Sequence, residues 1–445
     1  MGNNHLINES INKKQAFIIF FTTSIFYGNL FCGWSFQNLK LASLPINEIV
    51  LVLLVLLLDF RKITKEISKI TNISFFAMWL FLGLIYLILG YFEYGLLALR
   101  SGSHTIDAFY IFLGFYLISN KKLYLNFFNN FRIIILTLLI YILLFPFKEI
   151  ISNLVPNVSG AKGVSVTQSL FNYSSISLVL LWIGFYVLIN FKNIKVLNLN
   201  NNFIAFFFLF ISAAIFQQRY IYLSIFIILI FLFFLNEINL KKIFVGTFYL
   251  IIISFALLFF DFNIDGRIGT FSLKFLINHI LSTFGIYNEV TAAAAGTVDQ
   301  RIIWIKEVLN NSLLSFERFL FGIGYGKPLI EFNVSKSVIA TEPHNAFLSL
   351  YGKMGIVGFS LWIISHIFFI RTWKKTYDFL KEKKLADKKN KILGLFIFII
   401  IIMVSSFTNS MFEETYRAII YYIIWGIILR MSYDIEVEYK INIKS

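Results

Sequence analysis

The sequence holds a single cysteine, Cys32, in 445 residues. One thiol excludes an internal disulfide and any cysteine-based metal site. Charge is scarce as well: Asp, Glu, Lys and Arg make up 14% of the chain, about half the share usual in soluble domains. No nucleotide-binding motif, acidic metal cluster or internal repeat is apparent. The amino terminus lacks a signal-peptide cleavage pattern. Lys13 and Lys14 lead directly into an apolar run, so this segment is expected to be retained as a first span.

What the chain has in abundance is hydrocarbon. It is 58% hydrophobic and 19% aromatic, with 54 Phe. Many apolar runs reach the length that crosses a hydrocarbon core of about 30 Å as a helix. The expected fold class is all-α, a polytopic integral membrane protein. Runs between polar breaks predict twelve spans, near 15–34, 44–58, 74–92, 104–119, 131–147, 169–190, 203–217, 219–235, 242–260, 346–370, 392–411 and 415–430.

The basic residues orient these spans. With a cytoplasmic amino terminus, alternate loops should be rich in Lys and Arg. They carry Arg61, Lys62, Lys65 and Lys69, then Lys121 and Lys122, Lys192 and Lys195, and Lys241 and Lys242. The densest run is 371–391, read as a basic cytoplasmic loop with nine basic residues. The opposite connections hold only Lys40, Arg100, Lys148 and Lys162. Topology therefore accounts for the net charge of +15, and no nucleic-acid partner is needed. Both termini are expected in the cytoplasm, and 261–345 becomes one large loop on the outer face.

Three features converge on that face. Arg219, in "QQRYIYLSIF", sits at a tight turn between two apolar runs, where a charge is costly to bury without a partner. The alternative is an arginine that snorkels to anchor a span end. Arg301, in "DQRIIWIKEVLNN", shares a 3.6-spaced face with Trp304, Ile305 and Val308 on a helix expected to start near Asp299. The alternative there is an exposed arginine in a first turn. The preceding "TAAAAGTVDQ" reads as a free loop. His344 follows Pro343, which fixes its own φ, and precedes Asn345, which suits a helix N-cap. Its alternative is a histidine that only makes hydrogen bonds near the cap. His366 falls deep in a span, while His5, His104 and His279 lack comparable company.

Between the last two features lies "FLFGIGYGKP", 319–328. Its glycines, Gly324 and Gly326 among them, permit tight turns and could present backbone N–H groups to an anion. A turn that docks the loop is the favoured reading. Glu342 is a candidate acidic neighbour of His344. Glu289, Lys306, Tyr325 and Lys327 are candidates, with Glu342, for an acceptor groove.

Taken in order, "QQRYIYLSIF", "DQRIIWIKEVLNNSLLSFERFLFGIGYG" and "PHNAFLSLYGKMGIVGFSLWI" resemble the shared region of the O-antigen ligase and O-antigen polymerase superfamily. The likeness covers about residues 203–370. It implies a metal-independent, inverting glycosyltransferase of C-type membrane fold in the bacterial inner membrane. Such an enzyme needs no cofactor and uses glycans carried on undecaprenyl diphosphate at the periplasmic leaflet. The matched motifs imply that Arg219 and Arg301 hold the diphosphate and that His344 acts as general base on the acceptor hydroxyl. Asn345, Gly324, Gly326 and Glu342 would support them. Membrane lipid is implied as a partner, with a chain-length regulator and a flippase as further candidates.

The chemistry suits these side chains independently. Bidentate, permanently charged guanidinium groups match phosphate oxygens, and could stabilise a leaving diphosphate electrostatically. An imidazole with an ordinary pKa of about 6.5 suits deprotonation of a sugar hydroxyl near neutral pH. Composition favours a polymerase over a ligase only weakly. A secondary transporter or flippase is the other class, but the chain lacks paired halves, and Glu48 and Asp107 fall near outer span ends rather than mid-membrane.

Overall fold

The computed structural model describes residues 13–41, 44–119, 176–189, 201–216, 218–259, 292–330, 342–407 and 414–441, with short pieces between them. Helices dominate. They are α1 (Lys13–Cys32), α2 (Ile46–Leu57), α3 (Phe60–Ile70), α4 (Ser74–Tyr94), α5 (Leu96–Ser101), α6 (Ser103–Asp107), α7 (Tyr110–Leu117) and α8 (Ile176–Ile189). There follow α9 (Asn201–Phe216), α10 (Arg219–Phe234), α11 (Leu240–Phe259), α12 (Ala292–Leu313) and α13 (Phe316–Phe321). The last three are α14 (Ala346–Glu382), α15 (Ala386–Ser406) and α16 (Thr415–Tyr439). A one-turn helix, Trp34–Gln37, and four short antiparallel hairpins are also described, among them Phe332–Ser335 with Val338–Ala340 just ahead of His344.

Among the described residues, five helices are long and apolar enough to cross a membrane, α1, α4, α14, α15 and α16. Four shorter apolar helices, from α2, α8, α9 and α10, accompany them. Where they fall on described residues, the expected spans mostly coincide with helices, with one correction and one span left outside. The run 104–119 is broken into α6 and α7, and the expected span 131–147 lies almost wholly outside the described residues. The break at Gly102 and again at Ala108 puts polar Ser103, His104, Thr105 and Asp107 inside the protein, all buried.

The core is built around α16. From Tyr416 to Leu429 every residue is buried, as expected for a helix that is apolar on all sides. It packs against α1, α3, α7, α14 and α15. Aromatic rings tie the layers: Trp373 stacks on Phe396 with centroids 3.7 Å apart, and Phe369 meets Trp425 at 5.5 Å. His366 belongs to this core; its Nδ1 lies 2.8 Å from the Trp362 carbonyl oxygen.

One end of the bundle collects the positive charge. The residues 371–391, expected as a loop, are instead the last turns of α14 and the first of α15, joined across Lys383–Leu385. Lys, Glu and Leu are good helix formers, and i,i+4 pairs Lys374–Asp378 and Lys391–Asp387 extend the helices. At 37 residues, α14 is about 55 Å long, well beyond a bilayer core. Lys389 reaches Glu237 at 2.6 Å and Arg430 reaches Glu66 at 3.1 Å at the same end. Glu66 sits on α3, an amphipathic helix whose Ile63, Ile67 and Ile70 are buried while its lysines face out.

Toward the other end, α14 is broken. Gly355 has φ 63° and ψ −172°, a region open essentially to glycine alone. The Gly-rich turn packs into this break: Ile323 N donates to the Gly352 carbonyl at 3.0 Å, and Gly324 N to the Lys353 carbonyl at 3.0 Å. A Cβ on Gly355 would lie 2.3 Å from the Leu320 carbonyl oxygen. Gly355→Ala is therefore expected to lower the thermal midpoint of the detergent-solubilised protein, at a cost of about 1–3 kcal/mol from the backbone alone. An unchanged midpoint would mean the break is not a fixed feature.

Candidate active site

Arg219 and His344 sit at the start of a helix, where the chain turns, and Arg301 lies within one. Arg219 is the first residue of α10, preceded by Gln218 in an extended conformation (φ −106°, ψ 130°). The hairpin between α9 and α10 is as short as expected, and the Tyr222 hydroxyl closes it by donating to the Ala213 carbonyl at 3.3 Å. Tyr220, buried beside Arg219, shares a 2.6 Å hydrogen bond with Ser177 on α8. Arg219 itself stays half-buried.

Arg301 lies on α12, which corrects two expectations. The helix begins at Ala292 rather than near Asp299, so the alanine-rich stretch is no free loop. Alanine has the highest helix propensity, and it outweighs the single Gly296. Ile305 is exposed at 38%. The inward stripe is Trp304, Val308 and Ser312, at i, i+4 and i+8. Trp304 and Val308 form a small separate core with Leu329 and Ile330, joined by Ile323 and Leu348. This core clamps α12 against the Gly-rich turn and the start of α14, and it fixes where Arg301 points from.

His344 precedes the N-cap of α14. Asn345 caps that helix as expected: its Oδ1 accepts from Phe347 N at 3.1 Å and Leu348 N at 3.0 Å, and its Nδ2 donates to the Phe407 carbonyl at 3.3 Å. Pro343 is buried, and His344 has φ 47°, a left-handed conformation costing a non-glycine residue on the order of 1–2 kcal/mol. Such strain persists where surrounding structure holds it. The imidazole is open to solvent along one edge and faces the Trp304 ring at 5.6 Å on another.

Charge links the three. Burial, then the neighbouring Arg219 guanidinium, lowers the pKa of Arg301 from its ordinary value. For His344, crowding by the protein is the first influence and lowers its pKa; Glu414 raises it and Arg301 lowers it, with a net downward direction. Arg219, Arg301 and His344 thus form an electrostatically connected group. Two guanidiniums close enough to repel each other favour a dianion between them. An imidazole whose pKa is lowered is neutral near pH 7 and able to accept a proton.

Of the supporting residues, Asn345 is the expected cap and the glycines form the expected docking turn, while Glu342 and Tyr325 are engaged elsewhere. Glu342 does not turn toward His344. It forms an ion pair with Lys353, which is 1% exposed and also donates to the Ser101 carbonyl at 3.4 Å. The amides of Gly324 and Gly326 are already used for docking, on the Lys353 carbonyl and on the Ser101 hydroxyl at 2.7 Å. They are unsuited to cradle an anion, and the turn serves to dock the loop. Tyr325 is 1% exposed, its hydroxyl within 2.8 Å of Thr105 Oγ1 and 3.1 Å of His104 Nε2. It therefore lines no groove, and His104 has company after all. Lys306 and Lys327 are exposed; Glu289 lies outside the described residues.

Two residues of this neighbourhood escaped the sequence reading. Glu414 stands immediately before α16, and Arg417, 4% exposed, meets its Oε2 at 2.9 Å. The signal was present in "MFEETYRAII", where acids and an arginine interrupt two apolar runs at i,i+3 spacing.

Residues 204–363 match the family model described as O-antigen ligase. That segment runs from α9 to the middle of α14 and contains Arg219, Arg301 and His344. No curated protein matches the chain.

Proposed function

From the match of residues 204–363 to the family model described as O-antigen ligase, we propose that the chain belongs to the O-antigen polymerase and ligase superfamily and is a metal-independent, inverting glycosyltransferase that joins lipid-linked oligosaccharide units into a surface polysaccharide. The observation that carries this reading is the electrostatic connection of Arg219, Arg301 and His344 across three separate elements. Basic residues gather at the opposite end of the bundle, which supports a site on the periplasmic face of the inner membrane with cytoplasmic termini.

In this mechanism Arg219 and Arg301 hold the diphosphate of an undecaprenyl-linked donor. An acceptor hydroxyl attacks the anomeric carbon from the face opposite the diphosphate. The C–O bond breaks and its electron pair leaves on the diphosphate oxygen, where the guanidiniums stabilise the added charge. The hydroxyl proton passes to a ring nitrogen of His344 and then to solvent. One displacement inverts the anomeric configuration, and no metal is required for charge neutralisation.

The family description favours a second reading, in which the finished glycan is transferred to a lipid A core. A deletion strain separates the two on a gel of surface polysaccharide. Loss of a polymerase is expected to leave core bearing a single repeat unit. Bare core with accumulating lipid-linked polymer would instead establish the ligase.

A further inference from the structure

Glu414 stands at the mouth of the connection between α15 and α16. Its Oε2 accepts from Arg417 Nε at 2.9 Å and from the Tyr416 hydroxyl at 3.0 Å, while the same hydroxyl accepts from Arg417 Nε at 2.8 Å. The Arg417 guanidinium also lies 5.3 Å from the centre of the Tyr416 ring. A buried arginine with this much structure around it fixes a carboxylate in one place.

That place adjoins the histidine corner. Asn345, next to His344, donates to the carbonyl of Phe407 at the end of α15, and the Phe347 and Phe407 rings are 4.5 Å apart. The start of α14, just past the histidine corner, is therefore tied to the end of α15 by a hydrogen bond and a ring contact. Among the described residues, the charged groups around His344 are few. Arg301 faces it from α12, with Arg219 of α10 beyond; Glu342 in its own segment is engaged by Lys353; Glu414 is the acid.

We propose that Glu414, held by Arg417 and Tyr416, is the positioning carboxylate of His344, supplying the negative charge that supports the imidazole as it gains a proton. The proposal rests on the reading of His344 as general base and deepens it. When the acceptor hydroxyl loses its proton, the ring becomes a cation beside Arg301, which opposes the transfer. A fixed carboxylate offsets that repulsion, and its contacts with Arg417 and Tyr416 hold it in place. The couple thus has the logic of base plus orienting acid seen across hydrolases, built here from two helix starts.

Diethyl pyrocarbonate acylates neutral imidazole, so its reaction with His344 in native membranes, read by peptide mass spectrometry across pH, gives the titration midpoint of that one residue. The glycan ladder of the complemented deletion strain gives transfer. Glu414→Gln is expected to move the midpoint to lower pH and to cut transfer by about tenfold or more, part of the roughly 10²–10⁴-fold a positioned base contributes. Glu414→Asp should keep the midpoint near the parent's and restore part of the ladder. Tyr416→Phe, which loosens the carboxylate without removing charge, should shift the midpoint in the same direction by less and covers the case in which Glu414→Gln fails to accumulate. A midpoint unmoved in both Glu414→Gln and Tyr416→Phe, or one that moves while the ladder stays full, overturns the proposal. A full ladder from His344→Ala would remove the base assignment itself, and a midpoint shift in Glu414→Gln would still be visible in that case.

Discussion

His344→Ala is expected to abolish chain lengthening while the protein still inserts and accumulates in the membrane. The side chain is exposed along one edge and belongs to no core, so its removal leaves no cavity. The helix it precedes is capped by Asn345 rather than by the imidazole. Alanine must still adopt φ near 47°, a cost of about 1–2 kcal/mol that a bundle of this size absorbs. What is lost is the base, and with it roughly 10²–10⁴-fold in rate. The pH dependence carries a sign. Since the surroundings lower the His344 pKa on balance, transfer by the parent enzyme should hold up below the ordinary histidine midpoint of about 6.5 and fall only in more acid buffer. A ladder from His344→Ala equal to the parent's would refute the assignment.

Arg301→Ala should be as severe for a different reason. The guanidinium sits close enough to Arg219 for the two to repel, and burial already disfavours its charge. Such an arrangement costs stability when empty and recovers it when a diphosphate binds. The structure therefore predicts opposite effects on the two readouts: transfer falls by on the order of 10²-fold or more, as for loss of a preorganised donor to a developing anion, while thermal stability in detergent holds or rises slightly. Arg301→Lys should recover little, because a point charge does not reproduce the bidentate fork. Loss of both stability and transfer would mark Arg301 as a structural residue of α12 instead.

The sequence revealed most of the scaffold because lipid leaves a strong imprint on it. Long apolar runs and alternating basic loops need no tertiary knowledge, and α1, α4, α10, α14, α15 and α16 fall where the runs predict them. Misreadings came where polar character did not mean loop. Charged helices continue past the membrane at 371–391 because lysine and glutamate are good helix formers, and the alanine-rich segment before Arg301 was mistaken for a tether although no side chain favours a helix more. The broken helices of 96–117 hide in the same way: Ser103, His104, Thr105 and Asp107 are buried, and His104 and Thr105 find their partner far along the chain, in Tyr325.

Arg219, Arg301 and His344 were legible because each interrupts an apolar pattern, Arg219 and His344 at a helix start and Arg301 within α12. Partnerships were harder. Whether Glu342 faces His344 or Lys353 turns on the break at Gly355, which brings Lys353 under the corner, and two residues of separation in sequence say nothing about that. Glu414 and Arg417 lie at the start of α16, more than a hundred residues downstream of Arg301 and beyond the matched family region. Only the folded chain brings that acid to the histidine.

The most direct test is to see the diphosphate. A cryo-electron microscopy map of the purified protein in nanodiscs with undecaprenyl diphosphate should show phosphate density bridging the Arg219 and Arg301 guanidiniums, with the His344 imidazole bordering the same space. Density for the diphosphate at another place, or two arginines turned away from each other with the lipid bound, would contradict the account.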